Sequence, residues 1–283
     1  MKLKCLNLYL SILICFLPGK TFASEIRYED KDSPISFTVE VLRWEEVNKI
    51  LPKGTVFTII DVETGLSFKV QRRAGSHHAD VQPLSFKDTK IMKKIYDGKW
   101  SWNRRAILVL VDDKMIAASM HGMPHGAGAL KNGFPGHFCV HFWESTTHRR
   151  DKMDPAHQLM ILKSAGKLDD YINNVDPYTL IHIFALAINN HDKYLLSETI
   201  ANNKYQKRLT KKLSKEISYF SITGMSLLPM EDLDDQILLE IPVKVELLHN
   251  KTGKNKKAII FLVRRDSIID RWYIEGQNIL EEL

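Results

Sequence analysis

The sequence predicts a mainly β domain followed by a smaller α+β domain. Three observations support this prediction: two pairs of β-rich runs joined by turns precede residue 121, a loop rich in Gly and Pro follows them, and after about residue 166 helices precede an antiparallel sheet. The chain has 283 residues, of which 44% are apolar and 26% charged. That composition is typical of a folded globular protein, and the length suits one large domain or two of average size.

The first 23 residues are typical of a secretory signal peptide. Lys2 and Lys4 form its basic end, residues 6–17 form its apolar stretch, and Thr-Phe-Ala at residues 21–23 provides small side chains at the positions that a signal peptidase recognises. The apolar stretch is shorter than the roughly 20 residues that span a bilayer, which argues against an uncleaved anchor. We therefore expect a protein that is secreted or associated with the cell envelope after cleavage.

Cleavage would change the net charge and the cysteine count. The chain carries 40 basic and 34 acidic side chains, and loss of Lys2, Lys4 and Lys20 lowers the net charge from +6 to +3. This weak basic excess argues against a nucleic-acid partner. Cys139 would remain as the only thiol, so no disulfide within the mature chain is expected.

The first predicted domain, residues 24–165, combines short helices with two hairpins. Ser85 followed by Asp88 is a capping-box pattern, and Asp154 followed by Pro155 is typical of a helix start. The predicted elements are a helix at 44–51, strands at 55–62 and 66–70, a helix ending at Gly98, strands at 106–111 and 115–120, an aromatic run at 137–143 and a helix ending at Gly166.

The second predicted domain, residues 166–283, contains two longer helices and then strands. We predict helices at 178–189 and 204–217, strands at 237–248 and 257–263, and a short strand at 271–274. The sequence assigns this accessory domain no role of its own.

Histidines concentrate in the first domain, where residues 77–157 hold eight of the eleven. In an extended strand, His137, Cys139 and His141 would share one face, while the residues between them would point into the core. On a water-exposed face, the two imidazoles would lower the pKa of the thiol. Cys139 is therefore the candidate nucleophile.

The loop that precedes this strand, residues 122–136, contains five Gly and two Pro. Glycine allows a backbone to approach a bound molecule closely, so we predict that this loop forms one side of a site. Gly122, at its start, and His141, on the thiol-bearing face, are the candidates for substrate binding.

Together these residues resemble the signature of the L,D-transpeptidases that cross-link peptidoglycan. That signature is a His, fourteen to seventeen residues, then Ser/Thr-His-Gly-Cys, a hydrophobic residue, and Asn or Arg. In this chain His121 is followed by fourteen residues and then Gly-His-Phe-Cys-Val-His at residues 136–141. His121, His137, Cys139 and Val140 match the signature, while Gly136, Phe138 and His141 depart from it. The resemblance covers roughly residues 54–150.

The resemblance implies a mainly β catalytic domain with an L,D-transpeptidase-like fold. It implies acyl transfer through a thioester on Cys139, with peptidoglycan stem peptides as substrate and no cofactor. His137 is favoured as the general base and His121 lines the site, so both are catalytic candidates. Backbone N–H groups near Phe138 and Cys139 would donate to the oxyanion.

Two alternatives remain open at the level of sequence. His78, Asp80, His121, His125, His137 and His141 are of the ligand types that zinc prefers, which would suit a zinc-dependent cell-wall peptidase. However, His137 and His141 on one strand would have Cα atoms roughly 13 Å apart, too far to chelate one ion easily. The other alternative is a non-catalytic module that binds the cell wall, with a structural Cys139.

Overall fold

The computed structural model describes residues 38–147, 152–229 and 233–283. These residues belong to one compact unit. The predicted signal peptide, residues 1–23, lies outside them, and the predicted domain boundary after residue 165 stays a prediction. Within the described ranges, no helix is long and apolar enough to cross a membrane.

The molecule is mainly β, and most of its helices follow one another between the seventh and the eighth strand. In chain order the described elements are β1 (Val39–Glu40), α1 (Trp44–Ile50), β2 (Val56–Asp61), β3 (Ser67–Ala74), β4 (Ala79–Pro83), α2 (Phe86–Ile95), β5 (Arg104–Val111), β6 (Lys114–His121), β7 (Phe138–His141), α3 (Pro155–Ser164), α4 (Leu168–Asn173), α5 (Pro177–Asn189), α6 (Lys193–Thr199), α7 (Lys204–Glu216), β8 (Ile217–Met225), β9 (Leu238–His249), β10 (Gly253–Arg264), β11 (Tyr273–Ile274) and α8 (Gly276–Glu282).

Strands β2 to β7 form a closed six-stranded barrel. The strand order is β6-β5-β2-β3-β4-β7, and pairing of β7 with β6 closes it, while the short β1 adds to β6 in parallel. The predicted hairpins, β2–β3 and β5–β6, are confirmed. The closing contact joins Ser119 to His141 and Met120 to Val140. The β-rich character of the first region is therefore confirmed, and the finer L,D-transpeptidase-like fold stays a proposal.

Alternation along the strands fills the barrel with apolar side chains. Phe138 and Val140 of β7 point inward and pack with Phe68 of β3 and Met120 of β6. The α2 helix adds further apolar contacts and begins at the predicted cap, where Ser85 Oγ accepts a hydrogen bond from the backbone N–H of Asp88. The residues between the inward-facing ones necessarily point out of the barrel.

The second region is a curled four-stranded antiparallel sheet, in the order β11-β10-β9-β8, packed with helices. Alternate residues of β9 are buried against those helices. Phe184 of α5, Phe220 of β8 and Phe261 of β10 meet edge to face, with ring centroids 5.6–6.5 Å apart. The predicted helices at 178–189 and 204–217 correspond to α5 and α7, whereas β8 was not predicted because it follows α7 with no intervening breaker.

Candidate functional site

The candidate site lies on the outer face of the barrel, where β4, β7 and β6 are neighbours. Asp80 pairs in register with Cys139, and Ser119 pairs with His141. These four side chains and His121 all point outward, because the residues beside them in each strand point into the barrel core. The sheet therefore brings together a thiol, a carboxylate and two imidazoles from three strands.

Helix α3 and the glycine-rich loop cover this outer face. The α3 helix packs on β5 and β6 and contributes His157, and the loop contributes His125. Cys139, His141 and His157 are at most 3% exposed. Beside them lies a cavity of about 790 Å³. It is lined by His78, Trp102, Arg104, His121, His125, Cys139, His141, Thr147, Lys152, Met153, Asp154, Pro155 and His157.

Two glycines let the loop lie close enough to place His125 on the thiol. His125 and His137 form an antiparallel bridge with both N···O distances at 2.9 Å. A Cβ on Gly136 (φ +122°) would lie 2.5 Å from the His125 carbonyl oxygen, and one on Gly126 would lie 2.3 Å from the His137 ring. Larger side chains at these positions would force the loop away from the strand.

The thiol of Cys139 makes its shortest polar contact with His125, with Sγ 3.3 Å from Nε2. Nδ1 of the same ring lies 3.0 Å from the carbonyl oxygen of Met123. Since a carbonyl only accepts, that contact assigns the ring proton to Nδ1 and leaves a lone pair on Nε2. The geometry therefore fits donation by the Cys139 thiol to an imidazole nitrogen that is ready to accept a proton.

Asp80 lies on the other side of the thiol and contacts three groups. Its Oδ1 is 3.6 Å from Cys139 Sγ, 3.3 Å from His78 Nε2 and 3.8 Å from His137 Nε2. His78 is held in place by its Nδ1, which donates to the carbonyl oxygen of Thr146 at 2.8 Å. A carboxylate that orients neighbouring imidazoles is a common partner in Cys–His sites.

His78 also belongs to a stack of three imidazoles, with His141 and His157. The His78 and His141 rings are 4.4 Å apart and inclined by 15°, and the His141 and His157 rings are 3.8 Å apart and inclined by 12°. His157 Nδ1 contacts Ser119 Oγ at 2.9 Å. Nδ1 of His141 and Nδ1 of His121 are buried and have no hydrogen-bond partner in the described part of the chain.

Burial determines the protonation of this cluster. It lowers the pKa of His121, His141 and His157 well below the ordinary value, so that these imidazoles are neutral at neutral pH. Burial also raises the pKa of the Cys139 thiol, and the Asp80 carboxylate raises it further. The prediction of a water-exposed thiol with a lowered pKa was therefore wrong, because α3 and the loop cover the strand and the nearest charge is negative.

The structure assigns different positions to the residues predicted from sequence. His121 lies beside His125, with ring centroids 5.2 Å apart. Its ring is also 4.7 Å from that of Trp102, inclined by 48°. His137 packs against His125 at 4.5 Å and binds the Ala127 carbonyl through Nδ1. Gly122 is buried against the Tyr96 ring, where a Cβ would lie 2.4 Å from a ring carbon. Its predicted role in substrate binding stays a prediction.

Sequence reasoning did not select His125 as the general base, nor His157 as a wall of the cavity. The first depends on how the loop folds back to form a bridge with residue 137, and the second depends on how α3 packs across β6. The only local signal for His125 is its place among the loop glycines. His78 and Asp80 are two residues apart in sequence, and the structure places His78 Nε2 3.3 Å from Asp80 Oδ1.

Five residues of this cluster form two sets of three, each of which could hold a metal ion. The ligating atoms of His121, His125 and Cys139 lie within 4.8 Å of one another, and so do those of His78, Cys139 and His141. Both sets share the thiol.

A scan against models of protein families finds no match, and searches of curated proteins and of solved structures find none either.

Proposed function

We propose that this chain is a cysteine-dependent acyl-transfer enzyme that acts on the stem peptides of peptidoglycan. The observation that carries the proposal is the contact of 3.3 Å between Cys139 Sγ and an unprotonated Nε2 of His125, next to a cavity of about 790 Å³. A nucleophile with an adjacent base is the minimal requirement for peptide-bond cleavage by acyl transfer. The choice of peptidoglycan stem peptides as the substrate rests on the motif resemblance and on the predicted export.

The proposed mechanism begins from a protonated thiol. Because the pKa of Cys139 is raised, His125 must take the thiol proton while Sγ attacks the carbonyl carbon of the donor peptide. The His125 imidazolium then returns that proton to the leaving amine as the C–N bond breaks, which leaves a thioester on Sγ. An acceptor amine, or water, attacks the thioester with His125 again accepting a proton, and the thiol is regenerated.

The negative charge that develops on the carbonyl oxygen must be stabilised by a hydrogen-bond donor that faces the cavity. Phe138 and Cys139 pair with Val81 and Asp80 of β4, and the role of their backbone N–H groups toward the oxyanion stays a prediction. Arg104 lines the cavity, where its Nη2 donates to Asp154 Oδ2 at 2.6 Å and its Nη1 to the Trp102 carbonyl oxygen at 2.8 Å. We assign the oxyanion-stabilising role to this guanidinium as part of the proposal.

The test is incubation of the purified chain with defined muropeptides, with the products identified by mass spectrometry. Cross-linked products would support transpeptidation, and shortened stems would support carboxypeptidase activity. Cys139→Ser should yield neither product, whereas the matched control His182→Gln, at an exposed position on α5, should behave as the unmodified protein. Unchanged muropeptides with correctly folded protein would reject the proposal.

A further inference from the structure

The loop side of Cys139 gathers a set of ligands that suits a soft or borderline metal ion. We propose that His121, His125 and Cys139 form a binding site for one Zn²⁺ ion, with a coordination position left open toward the cavity. Two imidazoles and a thiolate are ligands that Zn²⁺ prefers, and their ligating atoms lie within 4.8 Å of one another. Binding depends on this ligand set alone and not on the proposed function.

Ring geometry distinguishes this set from the other one that shares the thiol. An imidazole lone pair lies in the plane of its ring, so two rings that bind one ion must have planes that meet at the ion. The His78 and His141 rings are stacked 15° from parallel, which directs their lone pairs along similar lines. The His121 and His125 rings are inclined by 39° at 5.2 Å, and their lone pairs can converge.

An unsatisfied nitrogen is independent evidence for a bound ligand. His141 of the other set has one as well among the described residues, so the ring geometry decides between the two sets. His121 is 4% exposed, and its buried Nδ1 has no hydrogen-bond partner among the described residues. Buried polar atoms in proteins nearly always have a partner, so such an atom calls for an explanation. An ion bound by the neutral imidazole supplies one.

The surroundings of His125 match those of metal-binding histidines. Its Nδ1 donates to the Met123 carbonyl at 3.0 Å, and a hydrogen bond of this kind fixes the ring so that Nε2 faces the ion. Asp80 Oδ1 lies 3.6 Å from Cys139 Sγ. A thiolate and this carboxylate together would balance the two positive charges of Zn²⁺ in a buried setting.

Binding exchanges a proton for the ion. The S–H bond of Cys139 breaks, the sulfur binds Zn²⁺ through its lone pair, and the proton leaves to solvent. Sulfur and His125 Nε2 are then both occupied. If the proposed function is correct, on which this consequence depends, the zinc-bound form lacks its nucleophile and its base, and zinc acts as a reversible inhibitor of the same site.

The binding test is titration of the metal-free full chain with Co²⁺ and then Zn²⁺. We expect one Co²⁺ per chain, a sulfur-to-cobalt charge-transfer band in the near ultraviolet, and loss of that band when Zn²⁺ displaces Co²⁺. His121→Gln and Cys139→Ser should weaken binding beyond the roughly 10–100-fold that loss of an outer partner costs. His141→Gln is the matched control from the competing set and should bind as the unmodified protein.

Three results would overturn the site: no stoichiometric binding, binding without the charge-transfer band, or loss of binding in His141→Gln but not in His121→Gln. Circular dichroism of each variant shows whether it is folded, and His125→Gln serves as a second ligand variant if His121→Gln is not.

Activity separates the two proposals. Inhibition by one equivalent of Zn²⁺ supports both, while a cobalt band in a protein inactive with and without metal leaves the site standing and rejects the acyl-transfer enzyme. Activity of the zinc-loaded form alone would keep the site and reject the thiol mechanism.

Discussion

The barrel and the curled-sheet region differ in what they bury. The curled-sheet region has an apolar core, and the buried Asp192 caps α6 by accepting from the backbone N–H of Leu195. The barrel also has an apolar interior, but beneath α3 it buries imidazoles, a thiol and a carboxylate that do not cap any element. Two of those imidazoles, His121 and His141, have a nitrogen without a hydrogen-bond partner among the residues that the structure describes.

The buried polar cluster of the barrel indicates where the function lies. Burying a polar group without a partner destabilises the folded state by about 1–3 kcal/mol, so a cluster of such groups is not explained by stability. The described part of the curled-sheet region also holds buried atoms without a partner, as at Thr210 and Arg271, but the first lies in α7 and the second just before β11, and they form no such cluster.

The largest effect is expected at the nucleophile. Cys139→Ser should reduce turnover of a stem peptide by at least about 10,000-fold, because the hydroxyl is a far weaker nucleophile, while the unfolding free energy changes by about 1 kcal/mol or less. Steady-state kinetics and urea denaturation measure the two quantities. Turnover that persists in a folded variant would show that the buried cluster has another purpose.

The opposite outcome is expected in the curled-sheet region. Phe184→Ala removes a fully buried ring from the Phe184, Phe220 and Phe261 contact and should lower the unfolding free energy by about 3–5 kcal/mol. Turnover per folded molecule should not change at a temperature where the variant is folded. A large fall in kcat for folded Phe184→Ala would mean that the second region takes part in the chemistry.

The assignment of the general base gives the third prediction. His125→Gln should lower kcat by about 100–1,000-fold, because the amide cannot take the thiol proton from Cys139. His137→Gln is the matched comparison, and it should retain most of the activity since its Nε2 faces Asp80 at 3.8 Å. A reversed order of the two variants would restore the base that the sequence predicted.

The smallest effect is on the pH dependence of stability. The folded pKa values of His121, His141 and His157 lie below those of the unfolded chain, so stability is complete above about pH 6.5 and falls as the pH drops further, when the unfolded chain binds more protons. The folded pKa of Cys139 is raised, so stability is also lost as the pH rises above about 8.5.

Urea denaturation between pH 5 and 10 measures both losses of stability, the acid limb and the alkaline limb of the pH profile. The unfolding free energy should change by at most about 1.4 kcal/mol per pH unit for each group. Cys139→Ser should remove the alkaline limb and leave the acid limb unchanged. Survival of the alkaline limb in that variant would show that another group causes it.

The sequence predicted the elements that local patterns determine. Both barrel hairpins were predicted because β-rich runs lie on either side of a short turn, and the Ser85 cap because its partner is three residues away. Strand β4 was missed although Ala79–Pro83 alternates apolar and polar residues, because it is short, ends in Pro and has one β-branched residue. Closure of the barrel through β6 and β7 joins distant parts of the chain and leaves no local signal.

The site was predicted in part for the same reason. Cys139 and its outward-facing neighbour His141 followed from strand alternation, which a single strand fixes. The burial of the thiol, the choice of His125 and the place of His157 depend on α3 and the loop lying across the sheet. Local spacing does not contain that information.

The central claim is that Cys139 becomes acylated. The most direct measurement is the intact mass of the protein, quenched in acid within seconds of mixing with a donor stem peptide. We predict an added acyl mass that maps to the peptide containing Cys139, is removed by hydroxylamine as a thioester is, and is absent from Cys139→Ser. An adduct on another residue, or product formation without any adduct on Cys139, would contradict the account.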